Sequence, residues 1–142
     1  MQIAEAVPRY LGLSKSVQIR NDLDLITIIR ERLSRNNFNF VRGELKMSLK
    51  EFSSTLRISE KTIQRYKEDE LLNENVSEGL VEIAEIIAMG VEVLGNKSEF
   101  LDWLHSPVIS LGSNKPVSLL DTHHGRKLLI NELGRIEHGI YA

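Results

Sequence analysis

Residues 76–94 constrain the fold of this chain more than any other stretch. Val76, Leu80, Ile83, Ala84, Ile87, Val91 and Leu94 recur at i, i+4, i+7 and i+8 spacing, with glutamates between them. That period stacks apolar side chains along one side of a helix, whereas a half-buried strand would need strict alternation. Gly95 follows where glycine commonly ends a helix. Apart from a weak VISL at 108–111, no run alternates as a strand does. The expected fold class is all-α: an N-terminal helix-turn-helix-like unit joined to a C-terminal helical domain.

Start and stop signals divide the rest. Residues 1–20 read as a loosely attached lead, because Pro8, Gly12 and two serines break any long period. Asn21 or Asp22 can cap a helix carrying Leu25, Ile28, Ile29 and Leu33, with Asp24 in its first turn where the macrodipole favours a negative charge. The asparagines of RNNFNF at 35–40 predict its end, since asparagine prefers turns and caps. Ser98 is expected to cap a short helix bearing Phe100, Leu101, Trp103 and Leu104. Pro107 interrupts, LGSNK loops out, and Pro116 suits the first position of the next turn. A final helix from about Thr122 sets Leu129, Leu133 and Ile136 along one side and stops at Gly139. The resulting division is a lead at 1–20, a helical region for DNA binding and dimerisation at 21–94, and a second domain at 95–142.

The 142 residues suffice for one domain or two small ones, and 42% apolar with 27% charged residues is ordinary for a globular protein. Without cysteine there is neither a disulfide framework nor a thiolate metal site, which suits a reducing cytosol. No run approaches 18 apolar residues, and MQIAEAVPRY lacks the layout of a signal peptide, so the expected location is cytoplasmic, with no membrane partner. The net charge of −2 conceals an uneven distribution. Residues 42–67 hold seven basic against three acidic side chains, and residues 68–92 hold eight acidic and no basic ones. Exposed charges are screened beyond about 8 Å at physiological salt, so the basic window can meet phosphates despite its acidic neighbour.

Within that window Ser48-Leu49-Lys50-Glu51 fits a capping box, with Phe52 and Leu56 facing inward. Ser59 then starts a second helix with Ile63 and Tyr66 on its apolar side. Two helices of about eight to ten residues separated by about three make a helix-turn-helix layout, although Arg57 occupies the turn position that often holds glycine. The second helix of such a unit presents its early exposed residues to base edges, here Glu60, Lys61, Gln64 and Arg65. Arginine suits guanine and glutamine suits adenine because each forms two parallel hydrogen bonds. Lys46, Ser48, Lys50, Thr62 and Lys67 complete the candidate DNA-binding set, the lysines and Thr62 chiefly through phosphates. A dimer is expected, because such units read two half-sites about one DNA turn apart, and the helix at 76–94 offers an apolar mating face.

Catalytic and metal signals are weak. His123 and His124 are adjacent and diverge by roughly 100° on a helix, which disfavours joint chelation. No GxSxG, P-loop or HExxH is present. Asp102 with His105, and Asp121 with His124, are i, i+3 pairs that suit surface hydrogen bonds. The expectation is a protein that is not an enzyme, without cofactor or metal.

Residues 95–142 carry F-x-x-W-L-x-x-P, a glycine loop, NKPVSLL, D-T-x-x-G and LGRIEHG before a short apolar and aromatic tail. This string closely resembles the toxin-binding domain of the Xre/MbcA/ParS antitoxins. LKMSLKEFSSTLRISEKTIQRYKEDELL is similar to the family's N-terminal segment, whose S-x-R-T-x-x-R-x-x-x-x-x-L stretch falls on Ser59, Lys61, Thr62, Arg65 and Leu71. Lys61 stands where many relatives have arginine, and Tyr66 where a second arginine is frequent.

The resemblance implies an antitoxin of a type II toxin–antitoxin system. It implies a RES-domain toxin that consumes NAD as the protein partner, covered at its active-site entrance, and operator DNA as the second partner through which the operon is repressed. Arg135, Glu137, His138 and Gly139 belong to the implied toxin contact. Ile140, Tyr141 and the carboxylate of Ala142 can enter a concave site, where tyrosine gives contact area at small entropic cost and a carboxylate can pair with arginines. A homodimer and a higher-order complex with toxin are the corresponding assemblies. Trp103, Leu104, Pro107, Leu119, Leu120 and Gly125 match family positions that read first as core and loop shapers. Two other readings stand beside this one: a stand-alone helix-turn-helix regulator without a toxin, and a small hydrolytic enzyme using a His/Asp pair.

Overall fold

The computed structural model of the protein describes residues 3–139. They form α1 (Ile3–Leu11), α2 (Asp22–Glu31), α3 (Arg35–Leu45), α4 (Leu49–Thr55), α5 (Glu60–Gln64), α6 (Glu74–Leu94), α7 (Lys97–Leu104) and α8 (His123–Glu137), with 3₁₀ turns at Ile109–Leu111 and Pro116–Leu119. The only β pairings among the described residues are isolated bridges, Ser34 with Leu71 and Val108 with Asn114. The all-α expectation holds. The VISL stretch contributes one bridging residue, and its remainder winds into a 3₁₀ turn. The chain divides into two compact units, one through Glu85 and one from Ile86, and α6 contributes residues to both.

The first unit begins with a helix where a loose lead was expected. Val7 and Leu11 of α1 are fully buried, and α1 packs on α3. Pro8 costs α1 the bond its N–H would give the Ala4 carbonyl, and the burial of Val7, Pro8 and Leu11 offsets that cost. Gly12, at φ +71°, then stops it, and the Leu13 N–H returns to the Pro8 carbonyl at 3.1 Å.

A second departure lies at 35–40. Asn21 caps α2, its side chain accepting from the Asp24 N–H at 3.1 Å, but α2 already ends at Glu31. RNNFNF opens α3 instead of closing α2. Ser34 accepts from the Asn37 N–H at 3.3 Å while the Asn37 side chain accepts from the Ser34 N–H at 2.9 Å, so asparagine fills the place of the usual Glu or Gln in a capping box. Asn37 Nδ2 also donates to the Leu11 carbonyl at 2.8 Å, tying the end of α1 to the start of α3. Phe38 of α3 meets Phe52 of α4 with ring centroids 4.9 Å apart and tilted by 58°, a favourable aromatic geometry.

Helix α6 is the most deeply covered element. Val76, Leu80, Val81, Ile83, Ala84, Ile86, Ile87 and Ala88 are all buried. Of the seven-residue pattern, Val76, Leu80, Ile83, Ala84 and Ile87 are covered within the chain, while Val91 and Leu94 are half-buried. Gly95 follows the last residue of α6, at φ +107°.

In the second unit the α7 cap is Asn96, two residues before the expected Ser98; it accepts from the Glu99 N–H at 2.9 Å. Phe100 and Leu104 are fully buried. Gly90 lies against Phe100: a Cβ there would come within 2.1 Å of the ring. Thr122 caps α8, accepting from the Gly125 N–H at 2.9 Å. A Cβ on Gly125 would stand 2.0 Å from the Leu119 carbonyl oxygen. The Pro116–Leu119 turn therefore lies directly on the first turn of α8, and Leu120, Leu129 and Leu133 bury fully.

Two expectations follow. Gly125→Ala pushes a methyl into backbone and should cost about 1–3 kcal/mol or more, read as a lowered denaturation midpoint. Glu85 has its pKa raised from 4.5 to about 7 by burial, then by the nearby charges of Asp22 and Glu82. A carboxyl with a raised folded pKa holds its proton more tightly when folded. Its stabilisation is complete below about pH 4.5 and is lost as pH rises through about 7. Glu85→Gln should therefore raise stability at pH 8, by on the order of 1–3 kcal/mol, and change it little at pH 4. Equal shifts of the melting temperature at both pH values would contradict this.

Candidate functional site

The basic window folds into two short helices. Ser48 caps α4 with both bonds of its box formed, accepting from the Glu51 N–H at 3.1 Å and giving its own N–H to the Glu51 carboxylate at 3.1 Å. Ser59 caps α5, accepting from the Thr62 N–H at 3.0 Å, and its hydroxyl lies 2.6 Å from that of Thr62. Arg57 adopts the left-handed conformation at φ +56°, so the turn geometry that glycine usually supplies is reached without it. The helices have seven and five residues, shorter than the eight to ten expected. In α5 the chain leaves helix after Gln64 because the next segment is bound elsewhere. The Arg35 N–H donates to the Glu70 carbonyl at 3.0 Å, the Asn36 N–H to the Glu68 carbonyl at 2.9 Å, and Leu72 N–H to the Leu33 carbonyl at 2.8 Å. Arg35 Nη1 also donates to the Ile63 carbonyl at 2.6 Å, satisfying the end of α5 from α3.

Ile63 is fully buried, while Lys61, Gln64 and Arg65 are exposed at helical i, i+3, i+4 spacing. Lys46, Ser48, Lys50, Thr62 and Lys67 are exposed as well. Lys46 is the left-handed cap of α3, and the Lys67 N–H is held by the Glu70 carboxylate at 3.1 Å. Exposure leaves all eight side chains available to a partner.

In the second unit the matched family positions separate into roles. Leu104 and Leu120 are fully buried, Trp103 and Leu119 half-buried and Pro107 exposed. Leu129 packs inside, whereas its neighbour Leu128 is 36% exposed. Leu133 is the last fully buried residue of α8. Beyond it Arg135, Glu137, His138 and Gly139 are exposed, and Gly139 has φ +70°. Ile140, Tyr141 and Ala142 lie outside the described residues. His138 Nε2 and a Glu137 carboxylate oxygen are 3.9 Å apart.

Arg135 is not a free cation. Its Nε donates to Glu132 at 3.1 Å, its Nη2 makes a second bond to the same oxygen, and the Ser110 hydroxyl donates to the other carboxylate oxygen. Burial alone would raise the Glu132 pKa, but the bonds from Ser110 and Arg135 and the guanidinium charge outweigh it and hold the carboxyl below its ordinary range. Glu132 was not among the sequence candidates. Its signal is positional: it falls three residues after Leu129, on the inward side of α8, where an unpaired carboxylate would be costly.

Among the described residues no group of three or more histidine, aspartate, glutamate or cysteine side chains could hold a metal ion. No helix among them is long and apolar enough to cross a membrane. His105 and His124 are both exposed, on separate elements.

Residues 89–139 match the family described as the antitoxin Xre/MbcA/ParS C-terminal toxin-binding domain. The chain is 30% identical over 67 residues to an antitoxin Xre of Yersinia enterocolitica, which covers 46% of this chain and 45% of that one. It is 42% identical over 48 residues to an antitoxin Xre of Photorhabdus laumondii, covering 34% and 32% respectively. The chain thus spans less than half the length of these relatives. The matched segment runs from the last turns of α6 through α7, both 3₁₀ turns and α8, the elements that hold Gly90 against Phe100 and Gly125 against Leu119. Residues 89–139 are thus similar to the toxin-binding domain of the Xre/MbcA/ParS antitoxins.

Proposed function

We propose that the chain is an antitoxin that neutralises a RES-type, NAD-consuming toxin by laying the end of α8 and residues 139–142 over the toxin's active-site entrance. The observation that supports the reading most is the placement of Arg135, Glu137 and His138 past the last fully buried residue of a toxin-binding domain. They are free of packing duty, so a partner can take them without disturbing the core. Arg135 is held in one orientation by Glu132, which lowers the entropy lost on contact. The chain acts in this reading by binding and has no chemistry of its own. Deleting residues 139–142 should abolish protection of NAD in a mixture of purified toxin and antitoxin, while the helical circular dichroism stays unchanged. Full protection by the shortened chain would refute the tail mechanism.

The second arm is operator binding through residues 42–70, which would repress the operon. It is supported by the exposed trio Lys61, Gln64 and Arg65 and by the capped, braced setting of α5. A homodimer would bring two such units onto half-sites, and higher-order complexes with toxin would follow. Leu23 and Ile26, 72% and 41% exposed and one turn apart on α2, are apolar surface for such a contact. In a gel shift on the promoter fragment, Gln64→Ala should reduce discrimination against altered operators. Lys50→Ala should weaken all sequences alike and lower the log–log salt slope by about 0.9 per protomer. Operator binding without any toxin association would favour the stand-alone regulator.

A further inference from the structure

Ile109 is 88% exposed, more than any other large apolar side chain described, yet it stands on a segment closed at every turn. The Val108 N–H donates to the Asn114 carbonyl at 3.1 Å and the Ser113 N–H to the Val108 carbonyl at 2.9 Å. Inside that ring the Leu111 N–H bonds the Val108 carbonyl at 3.0 Å, and Asn114 Nδ2 bonds the Leu111 carbonyl at 2.8 Å. Gly112 and Ser113 both take left-handed backbone, at φ +67° and +63°, a conformation that costs an ordinary residue such as serine. Leu111 is buried and pins the segment from beneath.

Single exposed apolar residues are common and need no explanation by themselves. This one differs in that its neighbours forbid retreat. Ser110, the next residue, takes the inward place through its bond to Glu132, so the polar side chain points in and the isoleucine out. An apolar side chain fixed outward on a rigid loop loses little freedom when a partner covers it. The occupant follows from continuity. Ile109 lies within the toxin-binding segment, and Ser110–Glu132–Arg135 joins its loop to the exposed end of α8.

We infer that Ile109 is an apolar anchor that seats in a hydrophobic depression on the toxin, beside the region met by Arg135, as a second contact separate from the tail. This rests on the toxin-binding reading above. The test measures affinity of the full chain for the purified, catalytically inactivated product of the neighbouring reading frame. Ile109→Asp should weaken binding by at least about 30-fold, the scale of an interface hot spot. Ile109→Val should stay within about threefold of the unsubstituted chain, and both variants should melt as it does, since the side chain is exposed. Unchanged affinity of Ile109→Asp overturns the anchor and leaves the tail mechanism standing. Failure of the unsubstituted chain to bind overturns both. Loss of self-association in Ile109→Asp with toxin affinity intact would assign the surface to a second copy and overturn the inference.

Discussion

The near-contact between the Leu119 carbonyl and the first turn of α8 governs the C-terminal unit. Only a residue without a Cβ lets that oxygen approach so closely, and Gly125 supplies it. Thr122, three residues earlier, fixes where the helix begins by engaging the Gly125 N–H. The D-T-x-x-G string is therefore one device: the threonine starts the helix and the glycine seats the preceding turn on it. With that seat made, Leu129 and Leu133 face inward, and the direction in which α8 delivers its last residues is set.

The N-terminal unit relies on hydrogen bonding at helix ends. Asn21, Ser34, Ser48 and Ser59 each cap a helix, and Arg35 and Asn37 carry bonds from α3 to the ends of α5 and α1. Short helices are marginal alone because nucleation is costly. Here the ends of α1 and α5 find partners on α3, which lets a five-residue α5 persist. The same bracing explains its brevity, since the chain must leave the helix to pair its backbone with Leu33–Asn36.

Helix periodicity and local caps were the legible parts of the sequence. The 76–94 pattern, the Ser48 box, the Ser59 and Thr122 caps and the stops at Gly95 and Gly139 all depend on neighbours within four residues. What escaped was decided at longer range. Asn37 reads as a helix breaker until the Leu11 carbonyl is found beside it, and Pro8 reads as a break until α1 is seen to be short and packed. Ser98 suits a cap by residue type, as Asn96 does, and local sequence does not choose between them. The pairing of Ser110 with Glu132 spans 22 residues and leaves no local trace. Within the candidate site, family likeness pointed to the end of α8, while the outward-fixed Ile109 emerged only from the bonding of its loop.

Leu133 is the last core side chain of α8, and of the described residues after it Gly134 and Ile136 are half-buried while Arg135, Glu137, His138 and Gly139 are exposed. Substitutions at the exposed Glu137 and His138 barely touch folding free energy, so these positions can vary while the domain stays intact. The surface they present can therefore be altered through a handful of changes, with no intermediate that fails to fold. The core and the exposed surface are thus set in separate parts of the same helix, and either can change without disturbing the other.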